Sequence, residues 1–383
     1  MANNCAAVAF RGNRAAEQVS SLPIPSKKMP PPPIDLDYKP RFPKNYKPGI
    51  GVVGCGGIVK ACHLPAYQQH KLNIVGVHDI NAAATEDVCE KFGVKRVFSS
   101  LDELLACDEI EVVDIGTHPA QRVEIMAKAV AAGKHVLAQK PLALTLDEVL
   151  PVLAEAEKRG LKIAVNQNGR WAPAWRIATL LIQQGVIGEV AGVMHLFDKN
   201  FLGTPDVFDR VKHFVIYDYS IHWLDITRCW LEKKRPVAVR ARDWRTPNQP
   251  PETIAPWGAW IEVEYEDGSN AMIRSAGAAR RHGGHPFWIH GSEGTIRGSS
   301  LSPADWVELE LDGATVRYQL DTKWFVDGFA GTMGELLCAI DEKREPYNSA
   351  RHNLLSLQLV LAACESADGD GRRIELKPIP PAP

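Results

Sequence analysis

The sequence predicts an α/β chain in two parts, a doubly wound parallel sheet followed by an α+β domain whose large sheet is mostly antiparallel and open. Three observations carry this. Between residues 50 and 165 short apolar runs alternate with helical stretches, the pattern of parallel strands joined by helical crossovers. A glycine-rich turn follows the first of those runs, where such sheets bind phosphates. After Asn166 the rhythm changes to strand-like segments separated by turn residues, with few helices among them.

Residues 51–59 read Gly-Val-Val-Gly-Cys-Gly-Gly-Ile-Val, closing the apolar run 50–53 and opening a helical stretch. A phosphate approaches backbone N–H groups closely only where no Cβ intervenes, and a helix N-terminus adds partial positive charge. Gly54 and Gly56, with Gly57 and Ile58 at the helix start, are therefore the candidate pyrophosphate turn. Val59 holds the third position of the G-x-G-x-x-G fingerprint, where a side chain is predicted to crowd the helix against the strand. The second strand, 72–78, ends at Asp79, about 20 residues after the glycines. A carboxylate there accepts hydrogen bonds from both ribose hydroxyls and repels a 2′-phosphate, so the expected cofactor is NAD rather than NADP.

Strands 112–115, 135–138 and 163–165 and helices 82–92 and 122–132 complete the first domain, drawn at 47–166. Gly93 and Gly133 stand where those helices stop, and Thr145 with Glu148 makes a capping box that opens helix 146–159. The second domain, 167–383, has helices 173–184 and 217–231 and strands 237–243, 259–265, 271–276, 287–290 and 314–320. Helices 325–344 and 350–367 close it. Residues 1–46 form a Pro-rich arm with Pro30 to Pro33 in a row, which runs extended. Its spaced apolar groups Ile34, Leu36, Tyr38, Phe42 and Tyr46 predict an arm that braces an oligomer.

With 45% apolar and 23% charged residues and a net charge of −2, the 383-residue chain has the make-up of a soluble globular protein and no electrostatic footprint for nucleic acid or acidic membrane. Its eight cysteines include no C-x-x-C pair, which argues against a disulfide framework and a structural zinc site. No apolar run reaches the roughly 18 residues that span a membrane. The expected compartment is the cytoplasm.

Two clusters carry chemistry. Lys140, in the run His-Val-Leu-Ala-Gln-Lys-Pro-Leu, lies just past the C-terminal end of a parallel strand, the edge where ligands sit. In Tyr217-Asp-Tyr-Ser-Ile-His-Trp-Leu-Asp225, helical spacing puts Asp218, His222 and Asp225 on one face. A histidine oriented by a carboxylate accepts a proton from a carbinol hydroxyl. A buried structural pair or two metal ligands would have the same spacing; no metal is assigned, since no further ligand has a recognisable spacing.

These motifs occur in the order found in the glucose-fructose oxidoreductase, inositol dehydrogenase and rhizopine catabolism family (Gfo/Idh/MocA), which the chain resembles from about residue 48 to 370. The matching stretches are Gly54-Cys-Gly-Gly-Ile, His63-Leu-Pro-Ala-Tyr67, Ala132-Gly-Lys-His-Val-Leu, Lys140-Pro141 and Asn168-Gly-Arg170. They continue with Gly185-Val-Ile-Gly-Glu189, Asp218 with His222, and Gly291-Ser-Glu-Gly-Thr295. The resemblance implies a Rossmann-type first domain and a Lys140 that contacts a substrate hydroxyl beside the nicotinamide. It also implies His222 as general acid/base, Asp218 as a binding or orienting group, and a homodimer or tetramer formed through the open sheet. Thr117, His118, Gln139, Lys140 and Asn168 join the cofactor set, and Arg170, Trp171 and Trp324 join Lys140, Asp218 and His222 in the substrate set. Three positions depart from the family. Gln139 replaces its usual Glu, which is expected to make Lys140 easier to deprotonate; His118 replaces a proline, and Arg122 replaces a histidine.

The expected activity is NAD-dependent oxidation of a sugar or polyol hydroxyl by hydride transfer to NAD, with Lys140 or His222 as the proton acceptor and an aldose oxidised to its lactone, such as a pentose or apiose, preferred. The alternatives are a ring-carbinol dehydrogenase for inositol or a hexoside, a redox-neutral lyase or epimerase using bound NAD, and a catalytically silent NAD-binding sensor.

Overall fold

The computed structural model describes residues 36–202, 211–247, 249–279, 284–301 and 305–379. Five strands, β1 (Gly49–Val53), β2 (Ile74–His78), β3 (Ile110–Ile115), β4 (His135–Gln139) and β5 (Ile163–Asn166), form a wholly parallel sheet in the order β2-β1-β3-β4-β5. β1 and β5 are buried at every residue, as strands covered on both faces require. Helices α1 (Leu64–Gln69), α2 (Ala82–Phe92), α3 (Leu101–Leu105), α4 (Pro119–Ala131) and α5 (Leu146–Lys158) make the crossovers. Gly93 caps α2 in the left-handed region, and Thr145 and Glu148 close the capping box of α5. The short α3 carries no pattern long enough to read from sequence.

The predicted crowding at Val59 is resolved at the facing strand end. A Cβ on Gly116 would lie 2.3 Å from Val59 Cγ2, so the glycine missing from the fingerprint is in effect moved to the residue that follows β3. The helix also opens with a π-helical turn, Val59–His63, before α1.

After α6 (Pro173–Gln183) the second sheet has nine strands. They are β6 (Val190–Asp198), β7 (Pro236–Trp244), β8 (Gly258–Tyr265), β9 (Asn270–Ala276), β10 (His285–Gly291), β11 (Thr295–Ser300), β12 (Trp306–Leu311), β13 (Ala314–Tyr318) and the short β14 (Ile374–Glu375). The order is β13-β12-β11-β10-β6-β9-β8-β7-β14, antiparallel except for the parallel pair β6 and β9. β6, β11 and β12 have no counterpart among the strands read from sequence; His195 and Gly192 interrupt the apolar alternation of β6, and Gly298 that of β11. α7 (Ile221–Trp230) packs between α6 and α9 (Ala350–Asp368), while α8 (Phe329–Asp341) returns to the first sheet. There Phe329, Met333 and Leu336 share a core with Ile50, Val52 and Tyr67, which couples the two halves of the chain.

Of the N-terminal arm, Leu36 onward is described, and it lies on its own chain. Tyr38 donates to Asp321, Phe42 stacks on His70 and Tyr46 bonds Glu111. The oligomer-bracing role predicted for residues 1–46 rests in part on Ile34, which is outside the described residues.

His213 precedes the π-helical turn Val215–Tyr219 that leads into α7, and it bridges two carboxylates, Asp243 at 2.7 Å and Asp368 at 2.9 Å. Its bond to Asp243 is the largest influence holding its basicity above the ordinary imidazole range, against burial. A base strengthened by folding stabilises the fold fully below its unfolded value near 6.5 and loses that contribution as pH rises through the folded value. The stability lost in His213→Gln is therefore larger at pH 6 than at pH 9, measured as the difference in urea midpoint between the two proteins.

Candidate functional site

In the order β2-β1-β3 the chain reverses direction across the sheet at β1, so a crevice opens beyond the C-terminal ends of β1 and β3. The glycine turn forms one side. Gly54 has φ +93°, and a Cβ on it would lie 3.1 Å from Thr117 N. Cys55 N donates to Asp79 Oδ2 at 2.6 Å and Asn81 N to Oδ1 at 2.8 Å, so the carboxylate at the end of β2 also braces the turn. A Cβ on Gly56 or Gly57 would meet nothing within 4 Å. Their glycine identity is therefore not dictated by packing inside the protein; it leaves bare backbone facing the opening, the form a pyrophosphate requires.

A cavity of about 820 Å³ extends from this turn into the second domain. Gly56, Gly57, Ile58, Thr117, His118, Gln139, Lys140, Asn168, Asp218, His222 and Trp324 all line it. Among the described residues Thr117 Oγ1 is buried without a partner. Asn168 lies just after β5, its Oδ1 accepting from Trp324 Nε1 at 2.7 Å, and so fixes the indole against the wall. Asp79 is not part of that lining; it acts at the turn.

Lys140 follows β4, with only 13% of its side chain exposed and a cis bond to Pro141. Its ammonium donates to Asp218 O at 2.7 Å and approaches Asp218 Oδ1 at 3.1 Å. Asp218 thus places a carboxylate beside Lys140, although position 139 carries none. Gln139 instead joins a buried network: its Oε1 accepts from Lys140 N at 2.7 Å and its Nε2 meets His63 Nε2 at 3.2 Å. His63 Nδ1 bonds Asp114 at 2.8 Å, and Asn166 Nδ2 approaches His63 Nε2 at 3.1 Å.

Among the described residues no carboxylate is hydrogen-bonded to His222. Burial, with a smaller effect from the Lys140 ammonium, holds its ring well below the usual imidazole range, so it is neutral. Its Nδ1 has no partner among the described residues. Asp218, in the wide π-helical turn, and His222, in α7, both line the cavity, but Asp225 does not, so the single face predicted for all three does not form. Asp225 points elsewhere, into a buried pair with Arg170.

Two predicted substrate contacts are corrected by that packing. Arg170 is fully buried, its Nε and Nη2 each 2.7 Å from an Asp225 oxygen, and it does not line the cavity. Trp171 is buried against Gly331 and Tyr347, also away from the cavity. Sequence reasoning missed Lys199, Tyr219, Arg122, His285 and Phe325, all of which line it. Lys199 immediately follows β6, a strand the pattern did not reveal. Arg122 donates to the carbonyl oxygens of Pro141 and Thr117, tying two cavity loops together.

Residues 49–167 match the family model described as "Oxidoreductase family, NAD-binding Rossmann fold", and residues 180–376 match its "C-terminal alpha/beta domain". The chain belongs to this oxidoreductase family. Among its relatives is the D-apiose dehydrogenase of Paraburkholderia graminis, 25% identical over 87% of this chain and 90% of that protein. Two solved structures share the fold. One is an Agrobacterium radiobacter oxidoreductase in complex with NAD+, L-tartaric acid and magnesium, with TM-score 0.76, 23% identity and coverage of 86% of this chain and 98% of that one. The other is a putative myo-inositol dehydrogenase from Sinorhizobium meliloti, with TM-score 0.72, 23% identity and coverage of 86% and 100%. This family member is an NAD-binding oxidoreductase. Among the described residues, no helix of the oxidoreductase is long and apolar enough to cross a membrane.

Hydrogen bonds to a carboxylate contribute about 1.5–3 kcal/mol each. On the reading that Asp79 also accepts from the ribose hydroxyls, Asp79→Ala is expected to raise the Kd for NAD by roughly tenfold or more and to narrow any preference over NADP. Fluorescence titration with both dinucleotides measures this.

Proposed function

We propose that this oxidoreductase removes hydrogen from a hydroxyl-bearing carbon of a sugar or polyol, with Lys140 holding the reacting oxygen and His222 accepting its proton. One observation carries the reading: the Lys140 ammonium, the Asp218 carboxylate and the His222 ring meet in the same cavity onto which Gly56 and Gly57 open. Bound NAD supplies an acceptor for the hydride of the carbinol carbon. Lys140, fixed by two contacts to Asp218, keeps a donor for the substrate oxygen and stabilises the negative charge that develops as the O–H bond breaks. His222 is neutral and therefore able to take the proton. Asp218 is a candidate acceptor for a neighbouring hydroxyl, and the adjacent rings of Trp324 and Phe325 offer flat faces to sugar C–H groups.

The D-apiose dehydrogenase relative supports an aldose as the substrate, and oxidation at the anomeric carbon to a lactone is the reaction we prefer. Association through the open sheet, as a dimer or tetramer, is part of the proposal. It is supported by Met194 and Met272, paired on neighbouring strands and each 43% exposed. The test is a thermal-shift screen of sugars and polyols with NAD present, followed by nicotinamide absorbance with each stabilising compound. Steady accumulation of NADH is expected. Turnover without accumulation would identify a redox-neutral enzyme, and binding without turnover a sensor.

A further inference from the structure

We propose that the substrate is an anionic polyol, a sugar acid or sugar phosphate, whose oxyanion is held by Lys199 and Tyr219 while its reacting hydroxyl lies at Lys140 and His222. The inference rests on the dehydrogenase reading above and narrows its substrate class. Among the described residues that line the cavity, the charged side chains other than histidine are Lys140, Lys199 and Arg122 against one carboxylate, Asp218. Asp218 is already paired with Lys140.

Lys199 has no carboxylate of its own among the described residues. Its ammonium donates to Tyr219 Oη at 2.6 Å and lies 4.5 Å from the centroid of that ring and 5.5 Å from that of Phe201. Lys199 is half-buried, whereas Arg122 is buried and bonds only carbonyl oxygens among the described residues. The one carboxylate that acts on both cations, Asp218, is already hydrogen-bonded to Lys140, so positive charge in the cavity exceeds negative and a ligand that brings an anion is favoured. Burial lowers the basicity of Lys199, against a smaller opposing effect of the Asp218 carboxylate. Burial also raises that of the Tyr219 phenolate, so Tyr219 keeps its proton and can donate to an oxyanion beside Lys199.

The cofactor does not fill this need. Its pyrophosphate belongs at the glycine turn of the first domain, whereas Lys199 follows β6 of the large sheet and stands beside Tyr219, next in sequence to Asp218. Carboxylate and phosphate share the required chemistry, a compact oxyanion on a polyol frame.

The test compares matched compounds on the NAD-loaded protein: D-glucose with D-glucuronate and glucose 6-phosphate, and D-galactose with D-galacturonate. Calorimetric Kd and kcat/KM are both measured. At least one anion is expected to bind about tenfold or more tighter than its neutral partner, with an advantage that shrinks as salt rises. The arm that gains, carboxylate or phosphate, identifies the oxyanion. Lys199→Met is expected to remove most of that advantage and Lys199→Arg to keep it, with NAD affinity little altered in either. If Lys199→Met does not fold, the wild-type pairs and their salt dependence decide. Equal affinity within every pair, or an anionic advantage untouched by Lys199→Met, overturns the proposal. An anion that binds tightly without NADH formation would support it while contradicting the dehydrogenase reading, so the two failures are distinguishable.

Discussion

Lys140→Met lowers kcat/KM by roughly 10³-fold or more while leaving NAD affinity nearly intact. The magnitude follows from the proposed role of Lys140 as a positioned donor that stabilises developing oxyanion charge. Lys140 is largely enclosed, and its contacts to Asp218 fix the direction of its remaining N–H bonds. The variant also has a signature that a purely structural lysine lacks. The Lys140 ammonium contributes to holding His222 below the usual imidazole range, so its removal raises the basicity of His222. A stronger base stays protonated to higher pH, and the acidic limb of the kcat/KM profile therefore moves toward higher pH in the variant. A profile that only scales down, without moving, would assign Lys140 to substrate binding alone.

Asp225→Ala destabilises the fold by about 3–5 kcal/mol, because it leaves the buried guanidinium of Arg170 without its anion. Burial opposes charge on both groups, yet the pairing outweighs it: the Arg170 cation is held more firmly, and the Asp225 carboxyl lies well below the usual range. Ser356 Oγ donates to Asp225 Oδ1 at 2.5 Å, and Arg228 Nη2 lies 3.6 Å from the same oxygen, so the loss leaves a second cation poorly compensated. Since folding depresses the Asp225 carboxyl, its contribution is present above the unfolded value near 3.9 and is lost as pH falls through the folded one. Urea unfolding measures the loss. Replacing both partners, as Arg170→Met with Asp225→Leu, is expected to recover much of it. The folded fraction of Asp225→Ala retains its KM, which separates this pair from the substrate contacts.

The parallel sheet was legible because period and punctuation agree there: apolar runs, a glycine turn, Asp79 at the second strand end, and capping residues at Thr145 and Gly93. The second sheet was only partly legible. β6 and β11 carry glycine or a buried histidine where an alternating strand would place apolar side chains, and their pairing is long-range. That Lys140, Asp218 and His222 line one cavity was legible from motif and spacing, but their partners were not. Asp218 meets Lys140 and Asp225 meets Arg170 across long sequence separations, which helical spacing does not encode. Arg170 and Trp171 were misread because polar and aromatic residues next to a motif look the same in sequence whether they face a cavity or the core. Gly116, compensating Val59, is a pairing between distant loops that becomes visible only when the strand ends are side by side.

The Lys140, Asp218 and His222 cavity is proposed to oxidise a carbinol carbon with NAD. This is tested most directly by supplying the best-stabilising polyol with deuterium at that carbon and analysing the nicotinamide product by mass spectrometry. One deuterium per NADH formed is expected, with the rate reduced roughly 10³-fold in Lys140→Met. Unlabelled NADH, or product formed with no NADH at all, would contradict it.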